Sequence, residues 1–448
     1  MNGVTFEVQR PVHASGTLTP GVNYRLRSEE LFRPLVSDGP PRVRDLLDIA
    51  AAVYAIDRLV KRNYQSAVRG PVRVISVRAR VADPSFWTTQ AGLLREILAV
   101  LSGDQWAFQF EQGDVPQWQS SILKVQDTIC LYSGGLDSLA GLACRLAETS
   151  DSITSVTMLH VGRQRDRVRR HIDGLNSHFG KRVFPALVPM ALINPPRLDD
   201  QELSQRCRGF IFASLGIGAA SALGAKRIEV YENGVGALNV PLMFGMSVGG
   251  RTTKGCHPRF RLLISQLGSA VLGRELVFAL PHEFRTKAEL VSALRTPNLQ
   301  ALAVKSFSCI HTSPRVSGEP KHCGVCPACI GRRQAFLASG VEDDPDGYRT
   351  DLFNPVDVER LDADELSFLK ATLMQISLFS QTPNGLPPQV EHFFRSSQVP
   401  VHDGFGWGKH AAMLQRYRGE WESLARMAAA RGVGWSNWLG LQREQVTV

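Results

Sequence analysis

The pattern of apolar and polar positions differs between the central region of the 448-residue chain and the regions on either side of it. After Asp127, short apolar runs alternate with amphipathic stretches of helical period, as expected for strands and helices in turn. This alternation predicts an α/β fold with a doubly wound, mostly parallel sheet, whose ligands bind beyond the carboxyl ends of the strands. The predicted strands are 128–132, 153–159, 183–189, 227–231 and 276–280, and the predicted helices are 137–148, 163–179, 202–223 and 258–272.

The flanking regions follow other patterns. Residues 1 to about 40 predict no element beyond an edge strand, whereas residues 42–112 alternate as helix, strand, helix and strand. Toward the C-terminus only helical periodicity remains. We therefore predict an N-terminal α+β domain over 1–126, a central α/β domain over 127–344 and a C-terminal helical subdomain over 345–448.

The amino-acid composition restricts the possible class and cellular location of the protein only slightly. Hydrophobic residues make up 44% of the chain, and the net charge is +9. The N-terminus lacks a signal-peptide pattern and no apolar stretch is long enough for a bilayer span, so we expect a cytoplasmic protein without membrane contact. This charge excess suits phosphate-bearing ligands but does not favour a nucleic-acid partner. The densest basic run, 163–170, contains Asp166 and predicts one solvated helix face.

A glycine-rich segment joins the first central strand to the first central helix. It reads Ser-Gly-Gly-Leu-Asp-Ser over residues 133–138, which we term the phosphate turn. Backbone N–H groups at a helix N-terminus bind anions, and adjacent glycines permit a close backbone approach. Asp137 would repel a phosphate unless a cation lay between them, so we predict that it holds Mg²⁺. A helix cap after an ordinary tight turn is the alternative.

Four of the eight cysteines are clustered within residues 306–335. Their spacing, C-x13-C-x2-C-x2-C, allows four thiolates to surround one tetrahedral Zn²⁺ and leaves no open position for catalysis. We therefore predict a structural zinc site, with a redox pair or metal-free core thiols as alternatives. His311 and His322 are nearby spare ligands. The predicted zinc ligands are Cys309, Cys323, Cys326 and Cys329.

The two motifs together resemble a known family. The phosphate turn resembles the SGGxDS loop (PP-loop) of the ATP pyrophosphatase superfamily, whose members bind ATP there, adenylate a carboxylate or carbonyl oxygen and release pyrophosphate. With HCGVCPACIGRRQAF at 322–336, the sequence resembles the 7-cyano-7-deazaguanine synthase (QueC) family over roughly 127–338. The resemblance implies a PP-loop fold, ATP with Mg²⁺, and 7-carboxy-7-deazaguanine as substrate.

The same resemblance implies residue roles. Lys287 matches the Lys of the family's Thr-Lys-x-Glu segment, and Arg208 matches the Arg of its Gly-Arg-Asn helix start; with Asp137 they are the expected catalytic residues. We expect adenine to lie near His160 and Val161. The implied ATP-binding residues are Ser133, Gly134, Gly135, Leu136, Asp137, Ser138, His160, Val161 and Gln164.

The chain departs from the family pattern after the strand at 227–231. The family presents Val-Asn and then an Asp-rich loop toward the deazaguanine, whereas this chain has Glu232, Asn233 and Gly234. We expect these three residues to bind the substrate, with Glu232 accepting hydrogen bonds from a guanine-like ring. A Glu232 that only caps the loop is the alternative.

The flanking regions have no counterpart in the shorter family enzymes. Extended, QatC-like relatives resemble components of bacterial antiphage defence, where the activated deazaguanine carboxylate is joined to the N-terminal amine of a partner protein. We therefore expect a protein partner as the amine acceptor. The alternatives are a synthase that uses ammonia, a tRNA thiolase with an exposed reactive cysteine pair, and a non-catalytic nucleotide-binding scaffold.

Overall fold

The computed structural model describes residues 4–10, 14–32, 39–62, 72–115, 126–160, 164–197, 200–202, 204–240, 254–310, 321–363, 365–380, 388, 391 and 407–439. The predicted ATP contact Val161 and the spare zinc ligand His311 lie outside these ranges. The strands are β1 (Val4–Arg10), β2 (Ala14–Leu18), β3 (Tyr24–Leu26), β4 (Val74–Val81), β5 (Gln105–Gln112), β6 (Thr128–Leu131), β7 (Ile153–Leu159), β8 (Val183–Leu192), β9 (Arg227–Val230) and β10 (Val277–Ala279).

Fourteen α-helices lie between and after these strands in the described part of the chain. Short 3₁₀ turns at 292–294, 345–347 and 434–439 complete the elements. The helices are α1 (Glu29–Phe32), α2 (Pro41–Leu59), α3 (Pro84–Ser102), α4 (Leu136–Glu148), α5 (Gln164–Phe179), α6 (Arg208–Leu223), α7 (Gly234–Leu238), α8 (Pro258–Leu272), α9 (Lys287–Val291), α10 (Pro297–Val304), α11 (Pro327–Ser339), α12 (Pro355–Glu359), α13 (Ser367–Ser380) and α14 (Trp407–Ala430).

The larger sheet has six strands in the order β10-β9-β6-β7-β8-β3. Its first five strands are parallel, which confirms the predicted mixed α/β fold with a parallel sheet. The chain leaves β6 toward β7 on one side and returns to β9 on the other side only after β8. The strand order therefore reverses between β6 and β9, and a crevice for ligands is expected where the loops after these two strands diverge.

The N-terminal region contains more regular structure than its sequence predicts. β1 lies inside a second sheet of order β2-β1-β4-β5, so the predicted edge strand is an interior one with Val4 and Val8 buried. β3 pairs antiparallel with β8 and thus extends the larger sheet. α2 also packs against α6, and one hydrophobic core includes residues from both sheets. The boundary near residue 126 stays a prediction, but the regions on either side of it share a core.

α6 begins six residues later than the predicted helix at 202–223. The preceding residues are drawn away from helical geometry by α2: the Glu202 N–H donates to the Arg58 carbonyl at 2.9 Å, and the Cys207 N–H donates to Asp57 Oδ2 at 2.9 Å. Gln205 has a φ of 46°, in the left-handed region that interrupts a helix. Tertiary contacts therefore override the apolar helical pattern here.

The C-terminal helices form their own hydrophobic cluster and also contact the central region. Trp421 and Trp435 are fully buried, with ring centroids 6.3 Å apart. α14 packs against α7 and α11 of the central region. A 3₁₀ turn at 434–439 follows α14, and the end of the predicted helical subdomain, from residue 440, lies outside the described residues. Among the described helices, none combines the length and apolarity that crossing a membrane requires.

Candidate functional site

The phosphate turn lies between the end of β6 and the start of α4. Its two serines hold it closed: Ser133 Oγ accepts from the Gly135 N–H at 3.2 Å and lies 3.1 Å from Ser138 Oγ, which donates to the Gly135 carbonyl at 3.0 Å. No side chain caps the N-terminus of α4. The first N–H groups of α4, at Leu136 and Asp137, therefore point out of the turn without helical partners, as an anion site requires.

Gly134 is the residue on which the shape of this turn depends. Its φ of 77° lies in the left-handed region, and a Cβ there would come within 2.9 Å of Val168 Cγ2 on α5. Arg167 Nε would be 3.6 Å from the same position, so a guanidinium lies beside the turn. Both the backbone conformation and the packing thus require glycine.

Three elements bring charged groups to the start of α4. Lys287 Nζ lies 2.9 Å from Asp137 Oδ2, and Asn233 Nδ2 donates to Asp137 Oδ1 at 3.0 Å and to Glu232 Oε1 at 2.6 Å. Lys287 is the first residue of α9, whose N-terminus is fixed by a capping box between Thr286 and Glu289. The structure therefore groups the predicted catalytic residues Asp137 and Lys287 with the predicted substrate residues Glu232 and Asn233.

The electrostatics of this cluster favour a bound cation. Burial and the Asp137 carboxylate raise the pKa of Glu232 to about 8. Burial opposes charge on Lys287 as well, yet Asp137 and Glu232 raise its pKa. Two neighbouring carboxyl groups offer the hard oxygen ligands that Mg²⁺ prefers, and a divalent cation would favour the ionised form of Glu232. The residues present therefore fit Mg²⁺. Glu232 lies beside Asp137, whereas the sequence led us to expect it at the edge of a guanine-like substrate ring.

Gly234 adds backbone rather than a side chain to this cluster. It begins α7 after Asn233, whose side chain caps the helix by accepting from the Gly236 N–H at 2.9 Å. A Cβ on Gly234 would lie 2.1 Å from the Glu283 carbonyl and 2.9 Å from the Met413 methyl group of α14. The C-terminal helices thus reach the loop that follows β9.

A second group of residues connects the end of β7 to the phosphate turn. The His160 N–H donates to Gln164 Oε1 at 3.2 Å, and Gln164 Nε2 donates to the Ser133 carbonyl at 3.2 Å. Burial, together with Arg208, Arg58 and Arg167, lowers the pKa of His160 to about 4. Arg208 therefore lies near His160 rather than in the Asp137 cluster, so the predicted catalytic residues occupy two neighbouring regions.

Three residues beside these groups were not singled out from the sequence. Arg167 belongs to the basic run predicted to be solvated, but it lies on the face of α5 that carries Gln164, three residues earlier. The spacing of three residues between Gln164 and Arg167 could have revealed this, because residues three apart lie on the same face of a helix. Tyr417 and Glu420 come from α14. After Asp137 and Glu232, Tyr417 is the smallest contributor to the raised pKa of Lys287, and Glu420 accepts from Thr286 Oγ1 and, at 2.7 Å, from Gln334 Nε2. Nothing in the sequence connects α14 with α9.

The four predicted zinc ligands converge. The sulfur atoms of Cys309, Cys323, Cys326 and Cys329 all lie within 4.8 Å of one another. Cys323 and Cys329 are 3.8 Å apart, and an S–S distance of about 3.8 Å is what a tetrahedral zinc with Zn–S bonds of about 2.3 Å requires. The donor set therefore fits Zn²⁺.

The local chain is shaped for this cluster. Gly324, between two of the cysteines, has a φ of 87°, and a Cβ there would lie 1.9 Å from the Thr350 carbonyl. His322 is turned to other partners, since its Nε2 accepts from the Ser308 N–H at 3.3 Å, and it is outside the set of converging sulfurs. Phe307, which packs on the cysteines, places its carbonyl 3.8 Å from the Cβ position of Gly135. The cysteine cluster thus supports one wall of the phosphate turn.

The chain is similar to two curated proteins. A 7-cyano-7-deazaguanine synthase of Rhizorhabdus wittichii is 28% identical over 141 residues, which are 30% of this chain and 53% of that protein. The 7-cyano-7-deazaguanine synthase 1 of Sphingopyxis alaskensis is 28% identical over 236 residues, which are 48% of this chain and 95% of that protein. This distant similarity supports a QueC-like family. No protein-family model matches the chain.

Proposed function

We propose that this protein is an adenylating C–N ligase. It uses ATP and Mg²⁺ to activate 7-carboxy-7-deazaguanine, releases pyrophosphate, and joins the activated carboxyl group to an amine. The observation that carries the proposal is the position of Asp137, Lys287 and Glu232 beside an uncapped helix N-terminus at the strand-order reversal. The similarity to 7-cyano-7-deazaguanine synthases supports the choice of substrate class.

Each group in the site has a task in this reaction. The N–H groups of the phosphate turn and Arg167 bind the phosphates, and Lys287 and Arg208 offset charge that develops when the substrate carboxylate attacks the α-phosphorus. Asp137 holds Mg²⁺, which neutralises phosphate charge when bound. Catalysis then depends mainly on positioning and on preorganised charge, as expected for transfer at phosphorus.

The proposed acceptor is the N-terminal amine of a partner protein in a bacterial antiphage system. Support comes from the extra regions before residue 126 and after residue 344, which lie beyond the length that the QueC resemblance covers. Ammonia is the second candidate, because both relatives are named for a nitrile product. A thiolase is less well supported, since Cys309, Cys326 and Cys329 are buried rather than exposed and reactive.

Product analysis tests the proposal. The protein is incubated with ATP, Mg²⁺ and 7-carboxy-7-deazaguanine, first with an ammonium salt and then with the proteins that co-purify with it. We expect AMP and pyrophosphate, with a mass shift of a protein N-terminus in the second case. Formation of the nitrile with ammonium would establish the second candidate instead.

Asp137→Asn is the matched control, because it removes the cation-binding charge and keeps the side-chain shape. It should abolish AMP formation without unfolding the protein. ADP as the product, or AMP formation that does not depend on the acid, would contradict the proposal. Nucleotide binding without pyrophosphate release under every condition would favour the non-catalytic scaffold.

A further inference from the structure

The N-terminal region reaches the ligand end of the large sheet through α2. Tyr54 Oη donates to Gln205 Oε1 at 3.1 Å, Asp57 Oδ2 accepts from the Cys207 N–H at 2.9 Å, and the Arg58 guanidinium donates to Gln201. These contacts hold Gln201, Gln205 and Cys207, and Cys207 directly precedes Arg208 at the start of α6. Arg208 is thus positioned by a helix about 150 residues earlier in the chain.

This connection is rigid because it rests on a buried charge network. Asp57 and Asp104 are bridged by two arginines, with Arg62 Nη2 at 3.1 and 2.6 Å and Arg73 Nη2 at 2.5 and 2.6 Å from their carboxylate oxygens. All four side chains are fully buried. Breaking one partner of such a network leaves a buried charge uncompensated, so the end of α2 has little freedom to move.

Among the described residues, no carboxylate compensates the charge of Arg58 or Arg208 in this way. Arg58 donates one hydrogen bond to the neutral Gln201, and its buried Nε has no partner among the described residues. No carboxylate of the described chain pairs with Arg208; burial and the nearby Arg58 lower its pKa, with only the Tyr54 hydroxyl acting in the opposite sense. Burial, Arg208 and Arg58 all lower the pKa of His160. Cations that are partly removed from water without a counter-charge are costly unless an anion joins them.

The cluster adjoins the phosphate turn. His160 and Ser133 are connected through the side chain of Gln164, at 3.2 Å on each side. An oxyanion that lies between Arg58 and Arg208 would therefore be near the reacting phosphates of a nucleotide on the turn.

We propose that Arg58, Arg208 and His160 form a joint oxyanion pocket, so that the N-terminal region supplies a ligand-binding residue to the central α/β region. This inference rests on the proposed function and extends it. The pocket takes a singly or doubly charged oxyanion, either a phosphate group of the nucleotide or the carboxylate of the deazaguanine acid. The N-terminal region is then part of the enzyme's binding site rather than an independent module.

Direct binding to the full-length protein tests the pocket. Calorimetric titrations use two probes in separate experiments, a non-hydrolysable ATP analogue with Mg²⁺ and 7-carboxy-7-deazaguanine. Arg58→Gln should weaken one of them by about 10- to 100-fold, the loss expected when a charged hydrogen-bonding group is removed. Arg58→Lys should recover part of that loss. The probe that responds identifies the oxyanion as phosphate or carboxylate.

Arg44→Gln is the matched control. Arg44 lies on the same helix 14 residues earlier, about 21 Å away along the axis, next to Asp48. It should bind both probes as the wild type does. Arg208→Gln is a second variant, and it leaves α2 intact. It should weaken binding of the same probe that Arg58→Gln affects. If one of the two variants fails to fold, the other still tests the pocket.

Three results would overturn the pocket. In the first, folded Arg58→Gln and Arg208→Gln bind both probes within twofold of the wild type. In the second, Arg44→Gln loses as much affinity as Arg58→Gln. In the third, the wild type binds neither probe. Failure of the proposed function has a different signature, because the wild type would then bind a probe in an Arg58-dependent way and still form no AMP.

Discussion

Lys287 Nζ lies 2.9 Å from Asp137 Oδ2, although the two residues are 150 positions apart in the chain. Each is the first or second residue of a helix, and both helices begin at the ligand end of the large sheet. The ion pair is only partly shielded, with 16% and 19% of the side chains exposed. A nucleotide phosphate and its cation could therefore enter between the two charges and use both.

The first prediction concerns Lys287. Lys287→Gln should lower the rate of AMP formation by about 100-fold or more, the usual effect of removing one preorganised charge from a reacting centre. Binding of the ATP analogue should change much less, because the phosphate turn remains. Single-turnover measurements of AMP and calorimetric binding separate the two effects. Lys226→Gln, at an exposed position, is the control; an equal loss there would argue against a specific role for Lys287.

The second prediction concerns Gly134. Gly134→Ala should destabilise the fold by about 2 kcal/mol or more and abolish nucleotide binding, because it combines a left-handed backbone with a Cβ 2.9 Å from Val168. Gly180→Ala is matched, since Gly180 has a φ of 86° but open space around its Cβ position. Gly180→Ala should lower the free energy of unfolding by about 1 kcal/mol and leave nucleotide binding unchanged. Denaturant unfolding and calorimetry measure both quantities.

The third prediction concerns the cysteine cluster. The purified protein should contain one zinc per chain, and Cys326→Ser should lose it and unfold locally around α11. Cys144→Ser, at another buried cysteine, should retain the metal. Metal analysis by mass spectrometry and thiol titration give the answer. A wild type without zinc but with a disulfide among these residues would support the redox alternative.

The fourth prediction concerns pH and Glu420. Burial raises the pKa of Glu420 from 4.5 to about 7. The folded protein therefore keeps a proton that the unfolded chain releases, and the resulting stabilisation is complete below pH 4.5 and declines as the pH rises to about 7. Glu420→Gln removes this decline, so its stability relative to the wild type should increase from pH 5 to pH 8 by on the order of 1–2 kcal/mol after allowance for partial solvent exposure.

Denaturant unfolding at the two pH values measures this effect. Glu422→Gln is the control, because Glu422 pairs with Arg418 on the outer side of the same helix and makes no contact with Thr286 or Gln334 among the described hydrogen bonds. It should shift stability by the same small amount at both pH values. A Glu420→Gln variant whose relative stability does not change with pH would show that the pKa of Glu420 in the fold is close to its ordinary value.

The strands and helices of the central region were largely predictable, because their apolar patterns coincide with their burial. The predicted helix 258–272 is α8 itself, and the predicted strand 153–159 is β7 itself. The prediction of helix for residues 202–207 was wrong, because contacts from α2 override the local apolar pattern. The edge strand expected within the first 40 residues is the interior strand β1, because its neighbours β2 and β4 become known only in the folded sheet.

The sequence alone determined the features whose chemistry is local: the phosphate turn, with its glycines and serines within six residues, and the cysteine spacing. The tertiary structure decided which distant groups join them. It placed Glu232 beside Asp137, Arg167 beside Gly134, and Arg58 beside Arg208. A local motif keeps its geometry because few backbone dihedrals separate its atoms, whereas long-range partners are selected by packing and by the desolvation of charges, which no single segment encodes.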